Sequence, residues 1–202
     1  MKFDNYEDYE IVQIRAASFE NENESWKKGQ INSLDIFLLP LLNKESSVID
    51  VGCGAGVGIK HLISKGIFNV IGVDINQDKL NVAKKIVDKD VFIKSSATDL
   101  PFNNNTFDVV WCSHALEHIL NPIKALKEFS RVCKPSGYIL IIVPYPNVDS
   151  EIHCNISELK LDIDDRGDSC VQYLEKNNFI VSQYYPMNIR EPELFIKIKN
   201  KK

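Results

Sequence analysis

Short apolar runs separated by stretches of helical spacing fill the middle of the chain, and few folds accommodate that alternation. Residues 47–51 form the first run and end in the segment DVGCGAGVG. Residues 57–65 then show helical spacing and stop at Gly66, a residue suited to the left-handed conformation that ends helices. Residues 69–73 are a second run ending at Asp74, and Asn76 is set to cap a helix carrying Leu80, Ala83, Ile86 and Val87. Residues 91–94 and 107–111 are the third and fourth runs. Asn121-Pro122 reads as cap and first position of a helix bearing Ile123, Leu126 and Phe129. Lys134-Pro135-Ser136-Gly137 breaks that helix before the fifth run, 138–143. Repeated units of this length predict parallel strands joined by right-handed crossovers, with helices on both faces.

The tail changes character. Residues 169–176 read as helical, 179–185 as extended, and 193–199 alternate with Leu194, Ile196 and Ile198 on one face. Only 186–192 joins the last two strands, too short for a crossover, so they are expected to pair as an antiparallel hairpin. The expected fold is α/β, a doubly wound, mainly parallel, seven-stranded sheet with one antiparallel C-terminal strand.

With 202 residues, 44% hydrophobic and 26% charged, the chain suits one domain with its own core, and disordered or fibrous readings fall away. The formal charge is −4, with acids concentrated in residues 1–30 and 149–175. Clustered Lys and Arg are what give nonspecific affinity for nucleic acid, so no nucleic-acid partner is expected. The longest apolar run, 138–143, is far too short to span a bilayer, and no membrane partner is expected either. Cys53, Cys112, Cys133, Cys154 and Cys170 are widely separated without a C-x-x-C pair, which argues against a disulfide framework or a thiolate zinc site. The start, MKFDNYEDYE, is acidic where a signal peptide is basic and then apolar. A cytoplasmic protein is expected.

In an open parallel sheet, ligands bind outside the carboxyl ends of the strands, and the turn after the first strand is the usual place. Asp50, Gly52, Cys53, Gly54 and Gly56 stand there. The dinucleotide spacing G-x-G-x-x-G fails, because Val57 occupies the third glycine position counted from Gly52, and Ile59 lies three residues past Gly56. No Lys-Ser/Thr pair follows, so a P-loop is excluded too. The spacing present is G-x-G-x-G preceded by an acid. A carboxylate at Asp50 repels a pyrophosphate and suits a cation, and Asp74, at the end of the second run, is placed to accept from both ribose hydroxyls. These residues imply a ligand with a ribose, a positive charge and no phosphate. A purely structural role for the glycine turn, in tight strand-to-helix packing, is the competing reading.

The segments VIDVGCGAG (48–56), GVDIN (72–76), ATDLPFNNNTFDVVWCSHALEHI (97–119) and KPSGYILIIVP (134–144) together resemble the class I S-adenosylmethionine-dependent methyltransferases, specifically the type-11 group that is similar to ubiquinone-biosynthesis methyltransferases. The resemblance covers roughly 34–146. It implies a Rossmann-like fold with S-adenosyl-L-methionine as cofactor and residues 34–146 as the cofactor-binding core. Residues 1–33 would then be an N-terminal lid, and 147–202 the acceptor loop and terminal hairpin of the same domain. By position, it implies that Gly52, Cys53 and Gly54 pack against the methionine and ribose parts. Asp74 would hold the ribose hydroxyls, with Ile75 against the adenine. Asp99 would accept from the adenine amino group beside Thr98 and Leu100, and Ser113 would lie near the methionine part. For Asp99 a turn residue before Leu100-Pro101 is the alternative.

Methyl transfer from a sulfonium is an in-line displacement, so the protein mainly aligns the partners, and no metal is required. A general base is needed only for an acceptor that is protonated at working pH. The candidates are His114 and His118 after the fourth run and His153 beyond the fifth; His61, on the helix after the glycine loop, is a poor one. Structural roles compete for each, and Glu117-His118 also reads as a helix start. Tyr6, Tyr9, Phe19 and Trp26, with Tyr145, His153 and Asn155, are candidates for an acceptor pocket or for surface packing. The expected acceptor is a small molecule, such as a hydroxyl of a sugar or similar metabolite. The Cys112-Ser113-His114-Ala115 segment lacks the N-P-P-Y-like tetrapeptide of base amino-methylation. A catalytically silent cofactor-binding or scaffold protein is the alternative, and oligomeric state is open.

Overall fold

The computed structural model describes residues 24–146, 158–161, 163–189 and 192–200. Seven strands form one sheet: β1 (Val48–Val51), β2 (Val70–Asp74), β3 (Phe92–Lys94), β4 (Phe107–Ser113), β5 (Cys133–Pro144), β6 (Val181–Asn188) and β7 (Pro192–Lys199). Their order is β3-β2-β1-β4-β5-β7-β6. Neighbours from β3 to β5 pair in parallel. Strand β7 is antiparallel to both β5 and β6, as its short connection demanded.

Among the described residues, five helices flank the sheet: α1 (Glu24–Ser33), α2 (Val57–Ser64), α3 (Gln77–Ile86), α4 (Pro122–Val132) and α5 (Asp168–Lys176). Because side chains alternate along a strand, the central strands feed two apolar layers. Ile49, Val51, Val110, Cys112, Ile139 and Ile141 pack with α4 and α5. Val48, Val109, Trp111, Leu140 and Ile142 pack with α2 and α3. The helix starts follow the sequence. Asn76 Oδ1 accepts from the N–H groups of Asp78 and Lys79 at 2.9 and 3.2 Å. Asn121 Oδ1 accepts from Lys124 N at 2.9 Å, with Pro122 in the first turn.

Three details depart from the sequence reading. Strand β5 begins at Cys133, so the Lys134–Gly137 break lies inside it, at an irregularity in the β4–β5 register, with Ser136 at φ +64°. The buried Asn200 makes this possible, donating from Nδ2 to the carbonyls of Ser130, Cys133 and Lys134 at 3.0, 2.8 and 3.2 Å. Strand β6 runs on to Asn188, leaving 189–191 as the connection. Pro186 is tolerated because β6 is an edge strand. Finally, α1 continues through a π-helical turn (Leu34–Leu38) and a 3₁₀ turn (Leu39–Leu41), and Leu34, Phe37 and Leu38 are buried in the second layer. Helical structure thus crosses the 33/34 position where the sequence reading divides lid from core. No described helix is long and apolar enough to cross a membrane.

Candidate active site at the carboxyl edge of the sheet

Strands β1, β2, β4 and β5 end along one edge, and the reversed strand β7 begins there, with Glu193 paired to Pro144. The glycine loop opens this edge. Gly52 has φ +80°, and a Cβ placed on it would stand 2.3 Å from the Cβ of Ala115, so only glycine lets the loop touch the turn after β4. Gly56, at φ +78°, is as closely confined by Ala83 and Phe92, each 2.8 Å from such a Cβ.

Main-chain amides tie the loop to β2. The N–H groups of Gly52 and Cys53 donate to Val73 O at 2.8 and 3.0 Å. Gly54 N donates to Asp74 Oδ2 at 2.9 Å, and Asn76 N to Asp74 Oδ1 at 2.8 Å. A carboxylate offers about four lone-pair positions, so these two main-chain donors do not by themselves exhaust Asp74. Ile75 is half-buried next to it.

Asp50 is buried, and its Oδ2 has no hydrogen-bond partner among the described residues. Burial, and then the charge of Asp74, push its pKa up from 3.8 to about 7. Its parallel register partner Trp111 likewise has a buried Nε1 without a described partner. Buried polar groups of this kind are costly unless something completes them, and a cation or an N–H donor completes a carboxylate. Burial also pushes the Cys53 and Cys112 thiols well up, with the nearby carboxylates adding to it, so neither is a ready thiolate.

After β3, Thr98, Asp99 and Leu100 form a turn. Thr98 Oγ1 lies 2.9 Å from Ser96 Oγ, Asp99 N donates to Ser96 O at 3.1 Å, and the Asp99 side chain is exposed. Leu100 is buried; its N–H donates to Glu128 Oε2 at 2.9 Å and its carbonyl accepts from Arg131 Nη2 at 2.8 Å. The Glu128–Arg131 ion pair at 2.7 Å, which the sequence reading missed, thus braces this turn against α4.

Ser113 is half-buried at the end of β4. His114 follows with φ +52°, its N–H donating to Ile142 O at 2.8 Å. Its Nε2 lies 2.6 Å from Glu193 Oε1, and its Nδ1 lies 3.7 Å from Glu117 Oε1. His118 Nε2 is 3.9 Å from the same Glu117 oxygen, and Glu117 and His118 sit in a 3₁₀ turn, Leu116–His118. Glu193 escaped the sequence reading, being the unremarkable start of the last strand. His118 is brought to the edge, whereas His61 is held away from it by Asp35 Oδ1 at 2.6 Å. His153 lies outside the described residues, as do Tyr6, Tyr9, Phe19, Cys154, Asn155 and the side chain of Trp26. Tyr145 turns inward: its hydroxyl accepts from Asp165 N and Gly167 N and donates to Ile163 O, each at 2.8 Å. That is a structural tie.

A family model described as a methyltransferase domain matches residues 49–141. The chain is 33% identical over 136 residues to an uncharacterized methyltransferase of Schizosaccharomyces pombe, covering 60% of this chain and 48% of that protein. It is 31% identical over 107 residues to a ubiquinone/menaquinone biosynthesis C-methyltransferase of Campylobacter jejuni, covering 50% and 46%. The chain thus spans about half the length of these relatives. Among solved structures, a chain from the complex of the Haloferax volcanii Trm112 methyltransferase activator with a methyltransferase superposes with a TM-score of 0.70 at 18% identity, covering 96% of both chains. Residues 49–141 thus resemble a methyltransferase domain, and the described residues share the Rossmann-like fold of that solved structure.

Proposed function

We propose that the protein transfers the methyl group of S-adenosyl-L-methionine to a small-molecule acceptor at the carboxyl edge of the sheet. The observation that carries this reading is the buried Asp50 carboxylate, whose Oδ2 has no partner among the described residues, beside a glycine loop tied to Asp74. The residues present fit this cofactor. Asp50 would face its cationic end, Gly52, Cys53, Gly54 and Gly56 would admit it closely, and Asp74 would accept from its ribose with Ile75 alongside. Thr98, Asp99 and Leu100 would flank the adenine, and Ser113 would lie near the methionine part. When bound, the cofactor supplies an activated methyl group; the chain's own task is to orient the acceptor and exclude water.

His114 is the residue we assign to proton acceptance, with His118 and His153 as the other candidates. The acceptor we favour carries a hydroxyl, as in a sugar or similar metabolite, because a base at this edge is useful only to an acceptor with a proton to lose. The acidic segments 1–30 and 149–175 argue against nucleic acid. Cys53, Cys112 and Cys170 are free thiols, consistent with a cytoplasmic setting.

Titration calorimetry with S-adenosylhomocysteine and NAD tests the cofactor assignment. Micromolar affinity for the first and none for the second is expected. The reverse pattern overturns the reading.

A further inference from the structure

We infer that cofactor binding expels a proton from Asp50, so that the free site holds a neutral acid and the occupied site a carboxylate paired with the ligand's α-ammonium; this rests on the methyl-transfer reading above. Ile49 and Val51 pack into one apolar layer, so Asp50 between them faces the other, where its register partner Trp111 lies. Asp50 is 3% exposed, and neither its Oδ2 nor Trp111 Nε1 has a partner among the described residues. A buried carboxyl group without donors is more stable as the neutral acid, because the charged form loses far more hydration.

The packing beside Asp50 favours one part of the ligand over another. Gly58 stands in the first turn of α2, and a Cβ there would lie 3.0 Å from Asp50 Oδ2, 3.4 Å from Leu34 Cδ1 and 3.6 Å from Gln30 Nε2. Glycine weakens a helix relative to alanine, so its value here is the close meeting of β1, α2 and the helical segment 24–38. A sulfonium that gives up its methyl must stay open to an acceptor, and this closed corner does not suit it. The terminal α-ammonium needs no such access. It supplies both the N–H donors and the positive charge that the Asp50 carboxylate lacks.

The groups around Asp50 leave this role to the ligand. Among the described residues the charge that acts on Asp50 is that of Asp74 on β2, and its sign favours the neutral acid. Cys53, just past β1, and Cys112, on β4, are held as thiols by burial first and by nearby carboxylates second, Glu117 acting on Cys112. On α3, Lys79 reaches the loop at Gly54 and acts on Cys53. On α2, His61 is taken by Asp35 and Lys60 is exposed. The segment 24–38 brings the neutral Gln30 amide to this corner, with Lys27 one turn before it and Lys28 exposed. When the ammonium enters, the Asp50 proton passes to solvent. One negative charge is created as one positive charge arrives, so the buried corner stays neutral. Below about pH 7 the free site must lose its proton before it pairs, so affinity rises with pH and levels off above that value.

Calorimetric titration of S-adenosylhomocysteine into the protein at about pH 6, in buffers of different ionisation enthalpy, counts the protons released. Release of about one proton is expected, and affinity should rise roughly tenfold from pH 6 to pH 8. The probe 5′-methylthioadenosine keeps the nucleoside and lacks the α-ammonium, so it should bind without release and without that rise. Asp50→Asn should abolish the release and flatten the pH dependence for S-adenosylhomocysteine. Binding of S-adenosylhomocysteine without proton release overturns the inference. So does equal release with 5′-methylthioadenosine, and neither result needs a variant. Release that persists in folded Asp50→Asn belongs to another group and overturns it as well. Failure of S-adenosylhomocysteine to bind at any pH across this range overturns the cofactor reading instead.

Discussion

Along this edge, the carboxylate that ends β2 is held by main-chain amides, whereas β4 and β7 meet through side chains. Asp74 is fixed by the N–H groups of Gly54 and Asn76, both within twenty positions of it. His114 is fixed by the carboxylate of Glu193, 79 positions away. Main-chain donors persist whatever side chains surround them, so the first arrangement is robust and generic. The second depends on particular residues brought together by tertiary structure.

The largest expected effect breaks the boundary between the two halves. Gly52→Val introduces a Cβ 2.3 Å from Ala115 at φ +80°. Backbone strain and overpacking together should cost several kcal/mol, on the order of 3 to 5. Both S-adenosylhomocysteine binding and the thermal midpoint should fall sharply. Retention of both, seen by calorimetry and melting, would show that the two turns separate freely.

Asp74→Ala sharpens the comparison. Two hydrogen bonds to a charged group, each worth roughly 1.5 to 3 kcal/mol, are lost to the main chain, along with those expected to ribose. S-adenosylhomocysteine affinity should drop about 10²-fold or more, and the ligand-free protein should also melt earlier. A sequence reading alone gives the first effect only, since it sees a ribose ligand and not the clamp on the glycine loop.

Asp50→Asn gives a pH signature. The unfolded chain loses the Asp50 proton near the ordinary value of 3.8, while the folded protein keeps it to about 7. The folded state therefore binds more protons between these values, and stability falls as pH rises from about 4 to about 7. The shift corresponds to roughly 4 kcal/mol. Asparagine should remove this slope, so the ligand-free variant should be more stable than wild type by a few kcal/mol above pH 7 and no different below pH 4, by denaturant titration. Its affinity for S-adenosylhomocysteine should fall. A variant of unchanged affinity would remove Asp50 from the cofactor half.

The smallest effect is a control. Asn121→Ala removes the cap of α4 and should cost about 1 kcal/mol of stability, measured by denaturant titration, with S-adenosylhomocysteine binding untouched.

The unequal construction of the edge also explains what could be read beforehand. The strands, the caps Asn76 and Asn121 and the short-range turn at Gly52 to Gly56 were legible, because a local pattern determines each of them. The reversal of β7 followed from the length of its connection. Its consequence, that Glu193 arrives beside His114, needed the register Glu193–Pro144, which no periodicity states. The start of β5 was misread for a similar reason. Lys134-Pro135-Ser136-Gly137 is a breaker locally, and only the Asn200 amide, supplied from beyond the last strand, makes it part of the sheet.

Strand β7 lies between β5 and β6 although it follows both in the chain. In a polypeptide emerging from the ribosome, β1 to β5 and their helices therefore exist before anything covers the outer side of β5. That strand carries Ile139-Leu140-Ile141-Ile142-Val143, an uninterrupted apolar stretch with high strand propensity. Until the hairpin is made, this is an uncovered sheet edge of the kind that templates pairing between chains. In the finished fold β7 closes that edge, and Leu194, Ile196 and Ile198 join the first apolar layer.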